Sequence, residues 1–254
     1  MRKIIILSAL VVAAAVMGFI TIADDIGEIP LSEPISSSSP SPAYSVQPTK
    51  SVSPTPVSEA NILIRNVPFT PQAPTGNWSD ERQQDGCEES SALMAVAWAK
   101  NEKLPTSAEV EKKIIAISNY EQQIYGEFHS TNVSDTVERI FKGYLKYNNV
   151  EARYNIDKND IIDELKKGNL VIVPLNGQKI GNPYYTPPGP LEHELVIKGY
   201  DPAKDQFITN DPGTRRGENY HYPANTLMAA IYDYPTGHRE PVSRIIKAMI
   251  VVSR

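Results

Sequence analysis

The first sixty residues differ from the rest of the chain, and this division limits how much of it can form a core. An uncharged apolar run covers residues 4–23, after Arg2 and Lys3 and directly before two aspartates. A run of about 20 apolar residues is long enough to cross a bilayer. We therefore predict a transmembrane anchor or signal peptide at residues 1–23, with cleavage after Ala23 as the alternative to an uncleaved anchor.

The segment after this run has little that a core could bury. Residues 24–60 are rich in Ser, Pro, Thr and Val. Such a segment cannot offset the entropy lost on ordering, so we predict a disordered linker. Arg2 and Lys3 favour a cytoplasmic N-terminus, which would place everything after the apolar run outside the cytoplasm. The remaining residues, 61–254, are enough for one domain and too few for two.

The folded part shows helical spacing first and strand-like alternation afterwards. Apolar spacing and capping residues predict helices at 87–103, 107–119, 135–147 and 158–167. Short β-branched and alternating runs predict strands at 61–70, 170–175, 195–200, 206–209 and 245–252. Helices followed by strands indicate an α+β fold, in which a helical lobe packs on a mostly antiparallel sheet.

Cys87 is the only cysteine of the chain, so it cannot form an intramolecular disulfide. It opens the first predicted helix, and a helix N-terminus lowers a thiol pKa and so favours the nucleophilic thiolate. A buried, unreactive cysteine is the alternative interpretation. We interpret Cys87 as a candidate nucleophile that needs a base nearby.

His193 is the best placed of the four histidines to act as this base. It follows a loop rich in Gly and Pro at 182–190 and begins the strand HELVIKGYD, so it lies at a sheet edge. Asp211 ends the next predicted strand, and a hairpin would bring it close enough to orient His193. Asn210 is the alternative partner, but side chains alternate along a strand and only one of the two can face His193. The other histidines, predicted at the surface, are His129, His221 and His238.

Three short blocks, in this order, resemble one known family. They are VPFTPQ…GCEESSALMA, HELVIKGYD and TNDPG, and they span about residues 66–212. The blocks are similar to the bacteriocin-processing (double-glycine leader) peptidase-like branch of the papain-like cysteine peptidases. The resemblance implies a papain-like fold with Cys87 as nucleophile, His193 as general base and acid, and Asp211 as its orienting partner. It also implies a glutamine upstream of the cysteine that donates a hydrogen bond to the oxyanion.

The identity of this glutamine is open at the level of the sequence. Gln72 lies in the matching block, but it precedes Cys87 by more residues than in relatives. An inserted loop around Trp78 would explain the longer gap. Gln83 and Gln84 are much nearer alternatives, and Gln72 is favoured because it matches the block.

Glu88 departs from the family pattern, in which glycine often follows the cysteine. A carboxylate beside the nucleophile would oppose formation of the thiolate unless it points into solvent. In the first turn of a helix an acid also complements the helix dipole, so Glu88 is compatible with an active enzyme.

Two other classes of function find no support in the sequence. The net charge of −5 and the interspersed charges leave no basic patch for nucleic acid. A metal site could combine Cys87, His193 and Asp211 with Glu192 or Glu194. The chain lacks the H-E-x-x-H and C-x-x-C spacings that such sites usually have, so neither a metal nor another cofactor is expected.

The sequence therefore predicts an extracytoplasmic cysteine peptidase that hydrolyses peptide bonds through an acyl-enzyme on Cys87. Its expected partners are a peptide or protein substrate and, through residues 1–23, the membrane. Tyr184 and Tyr185 are candidates to line the substrate groove. The alternatives are a cell-envelope amidase or acyl transferase with the same triad, and a degenerate peptidase that only binds peptides.

Overall fold

Helices come first along the folded chain, as the apolar spacing predicts. The computed structural model describes residues 60–237 and 244–254. After the short strand β1 (Ile62–Leu63), the helices are α1 (Glu81–Gln84), α2 (Cys87–Ala99), α3 (Ser107–Tyr125) and α4 (Val133–Asp135). A π-helical segment, Thr136–Tyr144, continues directly from α4.

The later strands join β1 in one antiparallel sheet. In chain order they are β2 (Val150–Tyr154), β3 (Leu170–Leu175), β4 (His193–Asp201), β5 (Gln206–Asn210), β6 (Tyr220–Pro223) and β7 (Ala248–Val252). The helices between them are α5 (Lys158–Lys166), α6 (Gly177–Ile180) and α7 (Ala224–Ala230). The strand order is β2-β7-β3-β4-β5-β6, and β1 pairs with the C-terminal end of β4. The predicted α+β layout with an antiparallel sheet is confirmed.

The central strands of the sheet bury both of their faces. Every residue of β3, β4 and β7 is buried. One face packs against α2, α3 and the π-helical segment, and the other packs against α5 and α7. The predicted helical lobe is thus only one of two helical layers. Strands buried on both faces are almost continuously apolar, which is why their sequences show so little alternation.

The helix α2 carries Cys87 at its first residue and is buried along nearly its whole length. Gly86 precedes it at a point of close approach. A Cβ on Gly86 would lie 2.8 Å from the carbonyl oxygen of Arg82 and 3.0 Å from Cγ2 of Ile114. A side chain at this position would push α1 and α3 away from the start of α2. The prediction that Cys87 opens a helix is confirmed.

Several elements escape prediction because their sequences lack an apolar pattern. The helix α1 lies in the polar stretch around Trp78, where Asp80 caps it by accepting from the N–H of Arg82. The short strands β2 and β6 and the helices α6 and α7 also have no strong periodicity. The predicted strand at 61–70 is a strand only over β1.

The predicted membrane segment at 1–23 lies outside the described residues, as does the predicted linker at 24–60 except for Ala60. His238 lies outside them as well. Within the part of the chain that the structure describes, no helix combines the length and apolarity needed to cross a bilayer.

Candidate active site

His193 and Asp211 meet where two neighbouring strands end. His193 is the first residue of β4, and Asp211 follows the last residue of β5. The ring Nε2 of His193 lies 2.8 Å from Oδ1 of Asp211, and both side chains are buried. Asn210 turns the other way, and its Nδ2 donates to the carbonyl oxygens of Val67 and Pro68 at 3.4 and 3.1 Å. The hairpin therefore brings Asp211, and not Asn210, to the histidine.

Asp211 is surrounded by hydrogen-bond donors. Besides His193, these are the Tyr185 hydroxyl at 2.7 Å, the Tyr222 hydroxyl at 2.5 Å, Asn182 Nδ2 at 3.2 Å and the Gly213 N–H at 2.9 Å. Burial opposes ionisation of this carboxyl, but the His193 charge and the hydrogen bonds outweigh burial and lower the pKa of Asp211. Asp211 is therefore an ionised carboxylate that can stabilise an imidazolium.

The contact with Asp211 decides which nitrogen of His193 can react. A carboxylate only accepts hydrogen bonds, so Nε2 carries the proton of this contact. The other ring atom, Nδ1, is left to exchange a proton with a thiol. The ring of Tyr185 packs edge-on against the imidazole, with 5.5 Å between centroids, and helps to hold its orientation.

The thiol of Cys87 is turned toward the neighbouring carboxyl. Its Sγ donates to Oε2 of Glu88 at 2.9 Å, and the residue is only 4% exposed. Burial raises the pKa of the Cys87 thiol well above its ordinary value, and the negative charge of Glu88 adds to the rise. The expectation that the helix start activates the thiol is wrong for the resting site. Resting Cys87 is a neutral thiol, because burial and the charge of Glu88 both disfavour the thiolate.

Glu88 points into the protein and not into solvent. Its Oε1 accepts from the hydroxyl of Tyr234 at 2.7 Å and from the N–H of Thr131 at 3.1 Å. Burial raises the pKa of this carboxyl too. An acid next to Cys87 is expected to leave the thiolate undisturbed only if it points into solvent, and Glu88 does not. Glu88 is a fixed neighbour of the Cys87 thiol.

Three further buried glutamates, Glu89, Glu121 and Glu194, lie close enough to Glu88 to interact electrostatically with it. Glu89 accepts from the hydroxyl of Ser118 at 2.5 Å. Both carboxyl oxygens of Glu121 and of Glu194 are buried without a hydrogen-bond partner among the described residues. Burial, followed by the charge of Glu88, raises the pKa of Glu121 to about 8 and that of Glu194 well above its usual range. Because an unpaired buried carboxylate is costly, these groups are protonated at neutral pH.

Gln72 links the start of α2 to the loop after β5. Its carbonyl oxygen would lie 3.5 Å from a Cβ on Gly86, and its N–H donates to the carbonyl of Pro212 at 2.9 Å. Its side-chain Nε2 donates to the carbonyls of Gln83 and Gln84 at 3.1 and 2.5 Å. Its Oε1 is buried and has no partner in the described chain. Gln72 thus lies beside the nucleophile with its amide nitrogen occupied.

The side-chain amides of the other two candidate glutamines have different partners. Gln83 is buried, and its Nε2 donates to Oε1 of Glu111 at 3.3 Å. Gln84 is exposed, and its Nε2 donates to the carbonyl of Trp78 at 2.8 Å. Of the three, Gln72 alone combines burial with a position against the residue that precedes Cys87.

A cavity of about 770 Å³ opens beside these residues. Gln72, Tyr184, Tyr185 and Gly213 are among the residues that line it, as the sequence predicts for the two tyrosines. Cys87 and His193 are not among its lining residues. A Cβ on Gly213 would lie 2.9 Å from Cε1 of the His193 ring. Gly213 therefore lies between the cavity and the His193 ring.

A family-model comparison covers most of this domain. Residues 64–238 match the model of the Peptidase_C39 like family. The chain belongs to this family. It is therefore a cysteine peptidase of the papain-like superfamily, and the match does not extend to the narrower bacteriocin-processing branch. The matched range of this C39-like peptidase includes Gln72, Cys87, His193 and Asp211.

A solved structure is also similar to this C39-like peptidase. It comes from a Bacillus anthracis protein proposed to be a C39-like peptidase, and it has 16% sequence identity and a TM-score of 0.43. The similarity covers 77% of this chain and 99% of that chain. No curated protein matches the sequence.

The remaining titratable groups of the C39-like peptidase supply no metal site. No group of three or more potential metal ligands occurs within residues 60–237 and 244–254. His129 Nδ1 lies 2.6 Å from Oε1 of Glu127, and His221 is exposed on β6. The position of His221 agrees with its predicted surface location.

The sequence does not predict two tyrosines that donate hydrogen bonds to carboxyl groups of the site. Tyr222 reaches Asp211 because β6 pairs with β5, where Tyr222 lies opposite Phe207. Tyr234 reaches Glu88 from a position far along the chain. Neither tyrosine has a local motif that marks it, since each contact depends on how distant segments pack.

Proposed function

We propose that this C39-like peptidase hydrolyses peptide bonds outside the cytoplasm through a triad of Cys87, His193 and Asp211. The observation that carries the proposal is the 2.8 Å contact between His193 Nε2 and Asp211 Oδ1. The strand that begins at His193 packs against α2, the helix that begins at Cys87. Membership in a cysteine peptidase family requires a cysteine nucleophile, and this chain has one cysteine.

In the proposed reaction, Nδ1 of His193 takes the proton of the Cys87 thiol as Sγ attacks the carbonyl carbon of the scissile bond. The oxyanion accepts hydrogen bonds from the N–H of Cys87 and from Nε2 of Gln72. The imidazolium, stabilised by Asp211, gives its proton to the leaving amine, and a thioester remains on Cys87. A water molecule that His193 deprotonates then hydrolyses the thioester, releases the carboxylic acid and restores the thiol.

Two contacts of the resting site must change during this reaction. The Cys87 thiol has to leave Glu88 and give its proton to His193. Nε2 of Gln72 has to exchange one of its two carbonyl partners for the oxyanion. Substrate binding is the step at which both changes have a reason to occur, since the oxyanion and the scissile carbonyl supply the new partners.

The test compares the wild-type chain with Cys87→Ala and His193→Gln on a mixture of peptides, with products read by mass spectrometry. We expect cleavage and a burst of acyl-enzyme in the wild type and no cleavage by Cys87→Ala. In His193→Gln the cleavage rate should fall by about 10³-fold or more. His221→Gln is the matched control, because this histidine is exposed on β6, and it should keep full activity. Undiminished cleavage by Cys87→Ala would refute the proposal.

The location outside the cytoplasm is supported by the apolar run at 4–23 and by the preceding Arg2 and Lys3. On this proposal, residues 1–23 anchor or export the chain and residues 24–60 form the linker. We expect a protease added to intact cells to degrade the folded domain. Degradation only after lysis would place the domain in the cytoplasm and contradict this part of the proposal.

A further inference from the structure

We propose that Arg215 and Arg216 bind a carboxylate of the peptide substrate, so that this peptidase prefers peptides that present a carboxylate at this position. The carboxylate can belong to an Asp or Glu side chain or to the end of the peptide. The inference rests on the proposed function, because it takes the cavity beside Gln72 and Gly213 as the substrate cleft. Both arginines line this cavity.

The loop that carries the arginines is held beside Asp211 by its own hydrogen bonds. The N–H of Asp211 donates to the carbonyl of Gly217 at 3.0 Å, and the N–H of Gly217 donates to the carbonyl of Thr214 at 3.2 Å. The N–H of Arg216 donates to Oγ1 of Thr214 at 3.2 Å. A Cβ on Gly217 would collide with the carbonyl oxygen of Asp211, so this closed turn needs a glycine. The arginine backbones therefore keep a defined position next to the proposed triad.

The two guanidinium groups are exposed and point along the walls of the cavity. The Arg216 guanidinium lies over the ring of Tyr184, 4.8 Å from its centroid. Arg215 lies against Gly76, another lining residue, where a Cβ would collide with Nη2 of the arginine. Within the described part of the chain, neither arginine forms an ion pair with a carboxylate. Both positive charges are therefore available to a ligand.

The chemistry of the cavity suits a peptide that carries a negative charge. Its described lining includes no aspartate or glutamate, although the whole chain has a net charge of −5. A guanidinium binds a carboxylate through two parallel hydrogen bonds, and stacking on Tyr184 already restricts the Arg216 side chain. Trp78 and Tyr184, each 45% exposed, offer apolar surface to the neighbouring side chains of the peptide.

The first arm of the test measures binding without turnover. The full-length Cys87→Ala protein is titrated with fluorescein-labelled short peptide mixtures that have a central Glu or a central Gln and an amidated C-terminus. A third mixture has a central Gln and a free C-terminal carboxylate. By fluorescence anisotropy we expect a carboxylate-bearing mixture to bind about tenfold more tightly than the amidated Gln mixture. The mixture that gains affinity identifies the source of the carboxylate.

The second arm removes the two charges. Arg215→Gln with Arg216→Gln, added to Cys87→Ala, is expected to abolish the difference in affinity between the carboxylate-bearing mixture and the amidated Gln mixture. Arg65→Gln with Lys103→Gln is the matched control, because both residues are exposed and neither lines this cavity. Thermal unfolding checks that both double variants fold. Equal affinity for all three mixtures, or an equal loss of preference in the control, overturns the inference.

Cleavage by the wild type separates this inference from the proposed function. A carboxylate preference in binding without any Cys87-dependent cleavage supports the arginine site and refutes the triad. Cys87-dependent cleavage with no preference in either arm supports the triad and refutes the arginine site. As an independent check, Arg215→Glu with Arg216→Glu should reverse the preference toward mixtures with a central Lys, and an unchanged preference for Glu counts against the inference.

Discussion

Buried carboxyl groups on the two sides of the site have opposite protonation states. At the edge formed by β4 and β5, Asp211 accepts from His193 and from three other side chains, and its pKa is lowered despite burial. Behind α2, Glu121 and Glu194 have no hydrogen-bond partner among the described residues, and burial raises the pKa of both. Asp211 is ionised at neutral pH, whereas these glutamates are protonated.

The difference shows that partners, and not depth, decide the charge of a buried acid. All three carboxyls are almost completely inaccessible to solvent, so all lose their hydration. Only Asp211 gains several hydrogen-bond donors in exchange, including the ring of His193. In the resting site the Cys87 thiol donates to Glu88 and is itself neutral. On the proposed mechanism it becomes a nucleophile when its proton passes to the charged side, at His193.

The largest expected effect comes from Asp211→Asn, which removes the ionised carboxylate at the edge formed by β4 and β5. Asparagine keeps the shape of the side chain, but it removes the charge that stabilises the His193 imidazolium. We expect kcat/KM for a peptide cleaved by the wild type to fall by about 10³- to 10⁴-fold. The matched variant combines Asn210→Asp with Asp211→Asn and restores the charge on the wrong face of the strand. Recovery of activity in this swap would show that the face of the strand is unimportant.

The next largest expected effect is on stability, through the protonated carboxyl of Glu121. Its pKa in the folded protein is about 8, raised from the ordinary 4.5 mainly by burial. Its contribution to stability is therefore fully present below about pH 4.5 and is lost as the pH rises toward 8. We expect this group to lower the free energy of unfolding by about 3 kcal/mol between about pH 5 and pH 8.

Urea unfolding of Glu121→Gln across this pH range measures the contribution. Glutamine mimics the protonated acid and does not titrate, so the variant should lose that part of the pH dependence. Glu102→Gln, at an exposed carboxyl, is the control and should follow the wild type. Parallel curves for Glu121→Gln and the wild type would mean that Glu121 is charged at neutral pH, as Asp211 is.

The smallest expected effect is on the reactivity of the Cys87 thiol, which contacts Glu88 in the resting site. Burial raises the pKa of Cys87, and Glu88 adds to this rise, so Glu88→Gln should lower the thiol pKa part of the way. More thiolate is then present at a given pH, and alkylation by iodoacetamide should proceed several-fold faster at neutral pH. Glu89→Gln is the control, because its carboxyl faces Ser118, and it should cause a smaller change in the same direction. An unchanged alkylation profile in Glu88→Gln would show that burial alone keeps the thiol neutral.

The placement of the site residues along the fold could be predicted because it depends on local patterns. Helical spacing after Gly86 puts Cys87 at a helix start, and the apolar run 170–175 coincides with β3. The alternation of side chains along β5 shows that only one of Asp211 and Asn210 can face His193, and the family resemblance implies Asp211, which is the residue that contacts it. The elements α1, β2 and β6 could not be predicted, because they are short and their burial comes from neighbours and not from their own periodicity.

The sequence by itself thus determined the order of the helices and strands and the positions of Cys87, His193 and Asp211 within them. Only the tertiary structure decided the state of each group. Tyr234 and Thr131 turn Glu88 inward against the thiol, although both lie far from it in the chain. The physical reason is that periodicity shows which face of an element is buried, whereas pKa values depend on the donors and charges met there.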